Sequence, residues 1–465
     1  AADTWWSAET ALGAMKPRFT VAAPVSSIDI SARLDTLLNG AEAHVIAETG
    51  FGGEAMERVD IGRRYEVEPA YAAPVEPTTA TAQFVDGRLD LWIAAQAPEQ
   101  ARIAAARAIG IPTEAVALYP TPAGGSFDAR LEHDHAIEIA LIARQLGRPV
   151  QLVWPRRDGL IRARPRAPYW MLLGAQLAKG AADGADGAID AMRVRIAAPP
   201  AMRQFGKRLF GNLTPMAAMR ETAGEPDPLA CAGAVPPYQI PAVLVEHIPA
   251  DIGLPVGRVR GNSHGPTIFA IESFIDEIAA KAKRDPFSFR MAMLGSDVRL
   301  AACLQRAAQL AGWDGGVDQS GQGLACARIG EGPEAARIAC VATARQGEGG
   351  VRVIRLSAAV DIGRIVNHDI AKQQIEGGLV FGIGIALGNP LRLRAGVPEA
   401  DGDIALGLPT LADCPEMRIE FIASEAPPAD PGELGAVVAP PAIANALFSA
   451  TGLRLRRLPL LSDGI

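Results

Sequence analysis

Residues 270–294 read AIESFIDEIAAKAKRDPFSFRMAML, the clearest helix pair in the chain. Asp285-Pro286 marks the break between its halves, because the residue before a proline is pushed out of the α region and proline opens a new helix. Working outward, the chain on either side returns repeatedly to hairpins. Upstream, Thr79, Thr81 and Gln83 alternate with Ala80, Ala82 and Phe84; an Asp86-Gly87 turn and then Leu89, Leu91 and Ile93 follow, a β-hairpin signature. Downstream, RIACVATARQ (337–346) and VRVIRLSAAVDIG (351–363) flank a GEGG turn, a second hairpin.

Helices are expected at Trp5 to Met15, Ile30 to Leu38, Pro98 to Ile109, Leu131 to Leu146, Leu300 to Gly312, Ile370 to Leu387 and Pro440 to Thr451. RPVQLVW (148–154) reads as a buried strand and MRIEFIAS (417–424) as another strand. Helices and hairpins in mixed order give an α+β fold, not a simple doubly wound sheet.

At 465 residues the chain is too long for one ordinary core, so a multi-domain architecture is expected. Half the residues are apolar (49%) and 21% charged, a globular composition; 48 Gly and 36 Pro suit many strand connections. A net charge of −7 with both signs intermixed speaks against a nucleic-acid footprint or an anionic-membrane anchor. The five cysteines are scattered without a CxxC, which leaves no ligand spacing for an iron–sulfur or structural zinc site. No stretch reads as the roughly 18–20 apolar residues of a membrane span; Gly377 to Leu387 reads as a short buried helix. The chain opens on Ala1 without Met and without a signal peptide, so the expectation is a processed, trimmed or partial polypeptide.

Four segments in order resemble the large subunit of the xanthine oxidase and aldehyde oxidase family, the molybdenum hydroxylases, most closely the isoquinoline 1-oxidoreductase and bacterial aldehyde dehydrogenase type. They are GGSFDARLEHD (124–134), PVGRVRGNSHGPTIFAIESFIDEIAAKAKRDPFSFR (255–290), AVDIGRIVNHDIAKQQIEGGLVFGIGIAL (359–387) and GELGAVVAPPAIANALFSATGLRLRRLPL (432–460), with YAAPVEPTTATAQFVDGRLDLWIAAQAP (71–98) as a weaker fifth. The resemblance implies an α+β, multi-domain molybdopterin-binding architecture of mixed sheets and packed helices. Residues 1–300 would be a first molybdenum-cofactor-binding domain and 301–465 a second carrying the catalytic Glu. It also implies that the N-terminal portion of the family's large subunit lies elsewhere.

The site residues follow by position. In the family, a Glu in a Gly-Glu-x-Gly loop is the base of a hydroxylation whose oxygen comes from water and whose electrons leave through the pterin; here that is Glu433. Read without the family, Glu433 is equally a solvated loop residue between Pro431 and Leu434. Gly124, Gly125, Ser126 and Phe127 resemble the family's glycine-rich loop, whose main-chain N–H groups face the cofactor. Ser126 and Asp128 stand where the family has glycine, and Asp128 adds negative charge where little bulk is tolerated. Gln96 matches a glutamine beside the metal's ligands, where a neutral amide can hydrogen-bond without adding charge. Gln374 matches one near the pterin dinucleotide, with Gly377 permitting close packing.

Arg260 stands where some members contact substrate; structural pairing with Glu272 or Asp276 is the other reading. Of the six histidines, His133 and His135 flank Asp134 and read as a surface helix start. The expected cofactor is molybdopterin cytosine dinucleotide, its molybdenum held by the pterin dithiolene and by no protein side chain. The implied partners are an iron–sulfur small subunit carrying [2Fe–2S], a chain supplying the missing N-terminal portion, and a cytochrome c acceptor, in the periplasm. Aldehyde and N-heterocycle substrates both remain open. So does a non-catalytic molybdopterin-binding or degenerate subunit.

Overall fold

The computed structural model describes residues 1–18, 20–21, 23–50, 58–178, 187–316, 320–347, 350–399 and 405–460. Three larger sheets carry the fold. The first has six strands in the order His44–Thr49, Ala242–Pro249, Ile189–Ala198, Tyr169–Leu177, Ile61–Val67 and Arg457–Leu458, with parallel and antiparallel pairs mixed. The second runs Gln322–Ile329, Ala336–Gly347, Gly350–Asp361 and Glu416–Phe421; the last pair is parallel. Its central hairpin is the one expected, although Glu348 and Gly349 of the GEGG turn lie outside the described residues.

The third sheet runs Val116–Pro120, Arg88–Ile93, Thr79–Val85 and Val150–Val153. The 79–93 hairpin forms as read, with Ala80 opposite Ile93 and the Asp86-Gly87 turn at positive φ in both residues. Val150–Val153 is a correction: it is the sheet's edge strand, with Gln151 exposed and its neighbours only partly covered. An apolar run alone cannot distinguish an edge position from a central one. The helices Pro98–Ile109 and Asp134–Leu146 cover this sheet and bury Ala101, Ala105, Ile139 and Ala140 in a satellite core of their own.

The main core lies between the other two sheets and three helices, His264–Lys281, His368–Leu387 and Leu434–Thr451. Asp285 caps the short Pro286–Met291 helix by accepting from Ser288 N at 2.7 Å, which makes the break in the opening stretch. Glu272 and Asp276 pair with Arg290 (3.0 and 3.5 Å), and Asp276 also with Arg454 (2.7 Å), so neither is a partner of Arg260.

The Leu434–Thr451 helix begins six residues before the expected Pro440 and carries Pro440 and Pro441 inside it. Prolines normally mark a helix start. Here packing overrides them, because the helix crosses His368–Leu387 so closely that a Cβ on Gly435 would lie 2.6 Å from Leu379 N. By length and composition this helix is also apolar enough to cross a membrane, contrary to the sequence reading; in the fold its side chains are mostly buried in the core. The Trp5–Met15 helix forms but buries none of its residues.

Candidate active site

Four loops and helix ends bring the sequence-selected residues together, and they come from both sides of residue 300. Gln96 and the 124–128 loop leave the carboxyl ends of two neighbouring parallel strands, Arg88–Ile93 and Val116–Pro120. In α/β architectures that is the edge where ligands collect. A bond from Gln96 N to Arg130 O, 2.9 Å, ties the two loops to each other.

Within the 124–128 loop, Gly125, Phe127 and Asp128 all take positive φ (+56°, +48° and +72°). Gly124 N–H is taken by Glu76 Oε2 at 3.1 Å. The N–H groups of residues 125–128 find no hydrogen-bond partner among the described residues. Successive unpaired N–H groups of this kind form a concavity suited to an oxygen-rich or anionic group. Arg130 stiffens the loop from beneath, donating to Ser126 Oγ at 2.9 Å and Glu76 O at 3.0 Å.

Asp128 is the hub. Its carboxylate accepts from Arg258 Nε (3.0 Å), Asn262 Nδ2 (3.3 Å) and, more weakly, Gln96 Nε2 (3.4 Å). It thereby joins the glycine-rich loop to the 257–262 loop that leads into His264–Lys281. Asn262 Oδ1 is buried without a partner.

Glu433 stands at the N-cap of Leu434–Thr451 and accepts the Gly261 N–H at Oε2. It is partly buried, so it is not a freely solvated loop residue. Burial, followed by the nearby Asp128 charge, pushes its carboxyl up to about 7, against the opposing pull of Gly261 N–H, Arg258 and Arg260. Arg260 holds the same loop from the other side: its Nε donates to Gly432 O at 2.7 Å, and its Nη2 to Gln374 O and Oε1 at 2.9 and 3.2 Å. Its guanidinium lies 6.0 Å from the Phe127 ring, and Phe127 packs on Phe381 at 4.9 Å. A Cβ on Gly377 would lie 3.7 Å from Arg260 Nη1, so the helix face beside Gln374 closes on this cluster.

His133 and His135 are elsewhere, and both are buried, which corrects the surface reading. His135 Nε2 pairs with Ala94 O at 3.3 Å. No group of three or more His, Cys, Asp or Glu side chains is placed to hold a metal among the described residues. Arg258, Asn262 and Gly261 were not singled out from the sequence, although they flank Arg260 in the same quoted segment. Their partners lie 130 to 172 residues away in chain order, beyond any local pattern.

This α+β arrangement sets a glycine-rich loop with unpartnered N–H groups beside a partly buried carboxyl, a cradle suited to a cofactor. The model of the molybdopterin cofactor-binding domain family matches residues 39–294, and a second model of that description matches 332–415. The chain belongs to this family, that of the molybdenum hydroxylase large subunits. It is 28% identical over 393 residues to the isoquinoline 1-oxidoreductase subunit beta of Brevundimonas diminuta, covering 84% of this chain and 48% of the relative. It is 30% identical over 410 residues to the membrane-bound aldehyde dehydrogenase [pyrroloquinoline-quinone] of Gluconacetobacter polyoxogenes, covering 83% and 51%. The chain thus spans about half the length of these relatives. The crystal structure of quinoline 2-oxidoreductase from Pseudomonas putida 86 shares the fold, with a TM-score of 0.74 at 15% identity over 95% of this chain and 81% of that one.

The residues present fit a molybdopterin group. The N–H groups of 125–128 offer donors, Asn262 Oδ1 an unpartnered acceptor, and Gln96 and Gln374 neutral amides that can do both. Two guanidinium groups, Arg258 and Arg260, balance the charges of Asp128 and Glu433.

Proposed function

We propose that this chain is the catalytic, cofactor-binding part of an oxidoreductase that hydroxylates an aldehyde or N-heteroaromatic carbon with oxygen derived from water. One observation carries the reading: Glu433, held by the Gly261 N–H beside Asp128 and Arg260, has a carboxyl raised to about 7. A general base works best when its pKa is near the operating pH. Oε2 accepts the Gly261 N–H, which leaves Oε1 as the atom that takes and returns the proton. The N–H groups of 125–128 with Gln96 would hold the metal end of the cofactor, and Gln374 with Gly377 the pterin end. The pterin-held molybdenum, when bound, supplies the redox chemistry. Arg260 orients the Glu433 loop through Gly432 O and stands where substrate would approach over Phe127.

The cofactor is proposed to be the cytosine dinucleotide form. A [2Fe–2S] subunit and a cytochrome c would carry electrons away, a further polypeptide would supply the family's N-terminal portion, and the complex would work in the periplasm. The test is Glu433→Gln in the assembled complex. Turnover should vanish while molybdenum and released cytosine nucleotide stay stoichiometric; loss of the metal with the activity would make Glu433 architectural.

A second reading, a non-catalytic molybdopterin-binding subunit, is favoured by Asp128, which spends the side-chain donors of Gln96, Asn262 and Arg258 on itself. Metal analysis of the wild-type complex together with turnover assays separates the two. A complex that carries stoichiometric molybdenum and nucleotide yet turns over neither an aldehyde nor an N-heterocycle supports the second.

A further inference from the structure

Beside the Glu433 cluster lies a cavity of about 230 Å³, walled mainly by apolar side chains, among them Tyr71, Phe127, Phe381, Leu391 and Leu406. Gly377 and Phe127 belong both to this wall and to the neighbourhood of Arg260, so the cavity abuts the candidate site. One cation is built into the wall. Arg166 is 4% exposed; its Nη2 donates to the Glu68 main-chain oxygen at 3.1 Å, and its Nε has no partner.

The carboxylate of Glu68, which also lines the cavity, faces Arg457 at 3.1 Å and Arg392 at 3.7 Å. Arg166 is also fixed in place by its backbone, which bridges Ala70 and Gly257. Burial pulls the guanidinium down to about 10, the mark of a charge without a counter-ion. A buried guanidinium with an unpartnered nitrogen is costly, a cost that an anion seated against it would offset.

We propose that Arg166 is a specificity residue that receives the carboxylate of a small aromatic acid whose ring fills this cavity. A cavity of ~150 Å³ holds benzene, so this one has room for a single substituted ring beside the reacting position. The inference rests on the oxidoreductase reading for the word substrate, and on the cavity and Arg166 alone for the binding. The same anionic chemistry could come from a phosphate of the cofactor, and the experiment separates the two.

Calorimetric titration of the purified, cofactor-loaded protein with benzoate and with its neutral isostere benzamide is the direct test. Benzoate should bind about 10- to 100-fold more tightly than benzamide, as expected of a charge-assisted pair. Arg166→Met should abolish that preference while molybdenum and nucleotide content stay unchanged. Leu408→Trp, at the half-exposed rim of the cavity, should weaken both ligands without touching the guanidinium; it remains informative if Arg166→Met fails to fold. Equal binding of the two ligands by wild type, or benzoate binding that survives both variants, overturns the proposal. Loss of molybdenum and nucleotide from Arg166→Met with benzoate binding intact assigns the anion to the cofactor and overturns it too. Benzoate selectivity in a complex that turns over no aldehyde or heterocycle sinks the oxidoreductase reading but leaves the anion site standing.

Discussion

Gly261 donates its backbone N–H to Oε2 of Glu433 across 172 residues of chain. The bond joins the loop before His264–Lys281 to the first turn of Leu434–Thr451, and Asp128 and Arg260 brace it from either side. Everything chemical about the site depends on that junction.

The raised carboxyl of Glu433 has a thermodynamic signature. Its folded pKa, about 7, lies above its ordinary value of 4.5, so the ionised form is disfavoured in the fold. The group therefore costs no stability below about pH 4.5 and a growing amount as pH rises towards 7, reaching at most about 3 kcal/mol. Glu433→Gln keeps an acceptor for Gly261 N–H and should raise the melting temperature at about pH 8 while leaving it unchanged at about pH 4. An equal shift at both would show that Glu433 is not buried as an acid. In the wild-type complex, kcat/KM should fall on the acid side with a midpoint near 7.

Asp128 adds its charge to that shift. Asp128→Asn keeps the side-chain shape and tolerates the +72° backbone angle, but it removes the repulsion. The acid limb of the pH–rate profile should move to lower pH, with molybdenum content unchanged. A profile that stays in place would assign the shift to burial alone.

The crossing of His368–Leu387 and Leu434–Thr451 leaves no room for a methyl group. A Cβ on Gly435 would lie 2.6 Å from Leu379 N and 2.7 Å from Gly378 C, both backbone atoms that cannot swing away. Gly435→Ala should destabilise the fold by about 1–3 kcal/mol or more. Gly13→Ala, in the exposed Trp5–Met15 helix with nothing within 4 Å, is the control and should be neutral or slightly stabilising. Urea unfolding of the pair measures the difference.

His247 is fully buried between Asp227 N (3.1 Å) and Ala198 O (3.0 Å), and burial holds it down at about 4, as it does His135. A folded pKa below the ordinary 6.5 means the neutral ring is the stabilising form. That stability is complete above about pH 6.5 and is lost as pH falls towards 4. Acid unfolding should thus begin in this window. His247→Phe should destabilise by about 1–3 kcal/mol at neutral pH, through its unpaired backbone partners, and should weaken the acid dependence. A variant with wild-type acid sensitivity would transfer the effect to other groups.

Local periodicity made the 79–93 and 337–363 hairpins and the 270–294 helix pair legible, the first helix starting earlier, at His264, because alternation, a two-residue turn or a proline break acts over a few residues. It failed where the deciding contact is distant. Val150–Val153 reads as buried but is an edge. His133 and His135 read as surface residues but are covered, His135 beneath Ala94 and Trp154. Pro440 reads as a helix start but lies inside a helix whose first turn is fixed by Gly378 and Gly261.

The glycine-rich loop, the Gly-Glu-Leu-Gly turn and the glutamines were legible as segments, so the sequence by itself determined the α+β class, the family and the candidate base. It also flagged Asp128 as a departure without saying what that charge meets. Only the tertiary structure gave Asp128 three donors, placed Gly261 N–H on Glu433, turned Arg260 away from Glu272 and Asp276, and set Arg166 with an unpartnered Nε in a mainly apolar wall. The reason is electrostatic. A side chain's charge state and partner are set by burial and by groups folded against it, and chain neighbours carry almost none of that information.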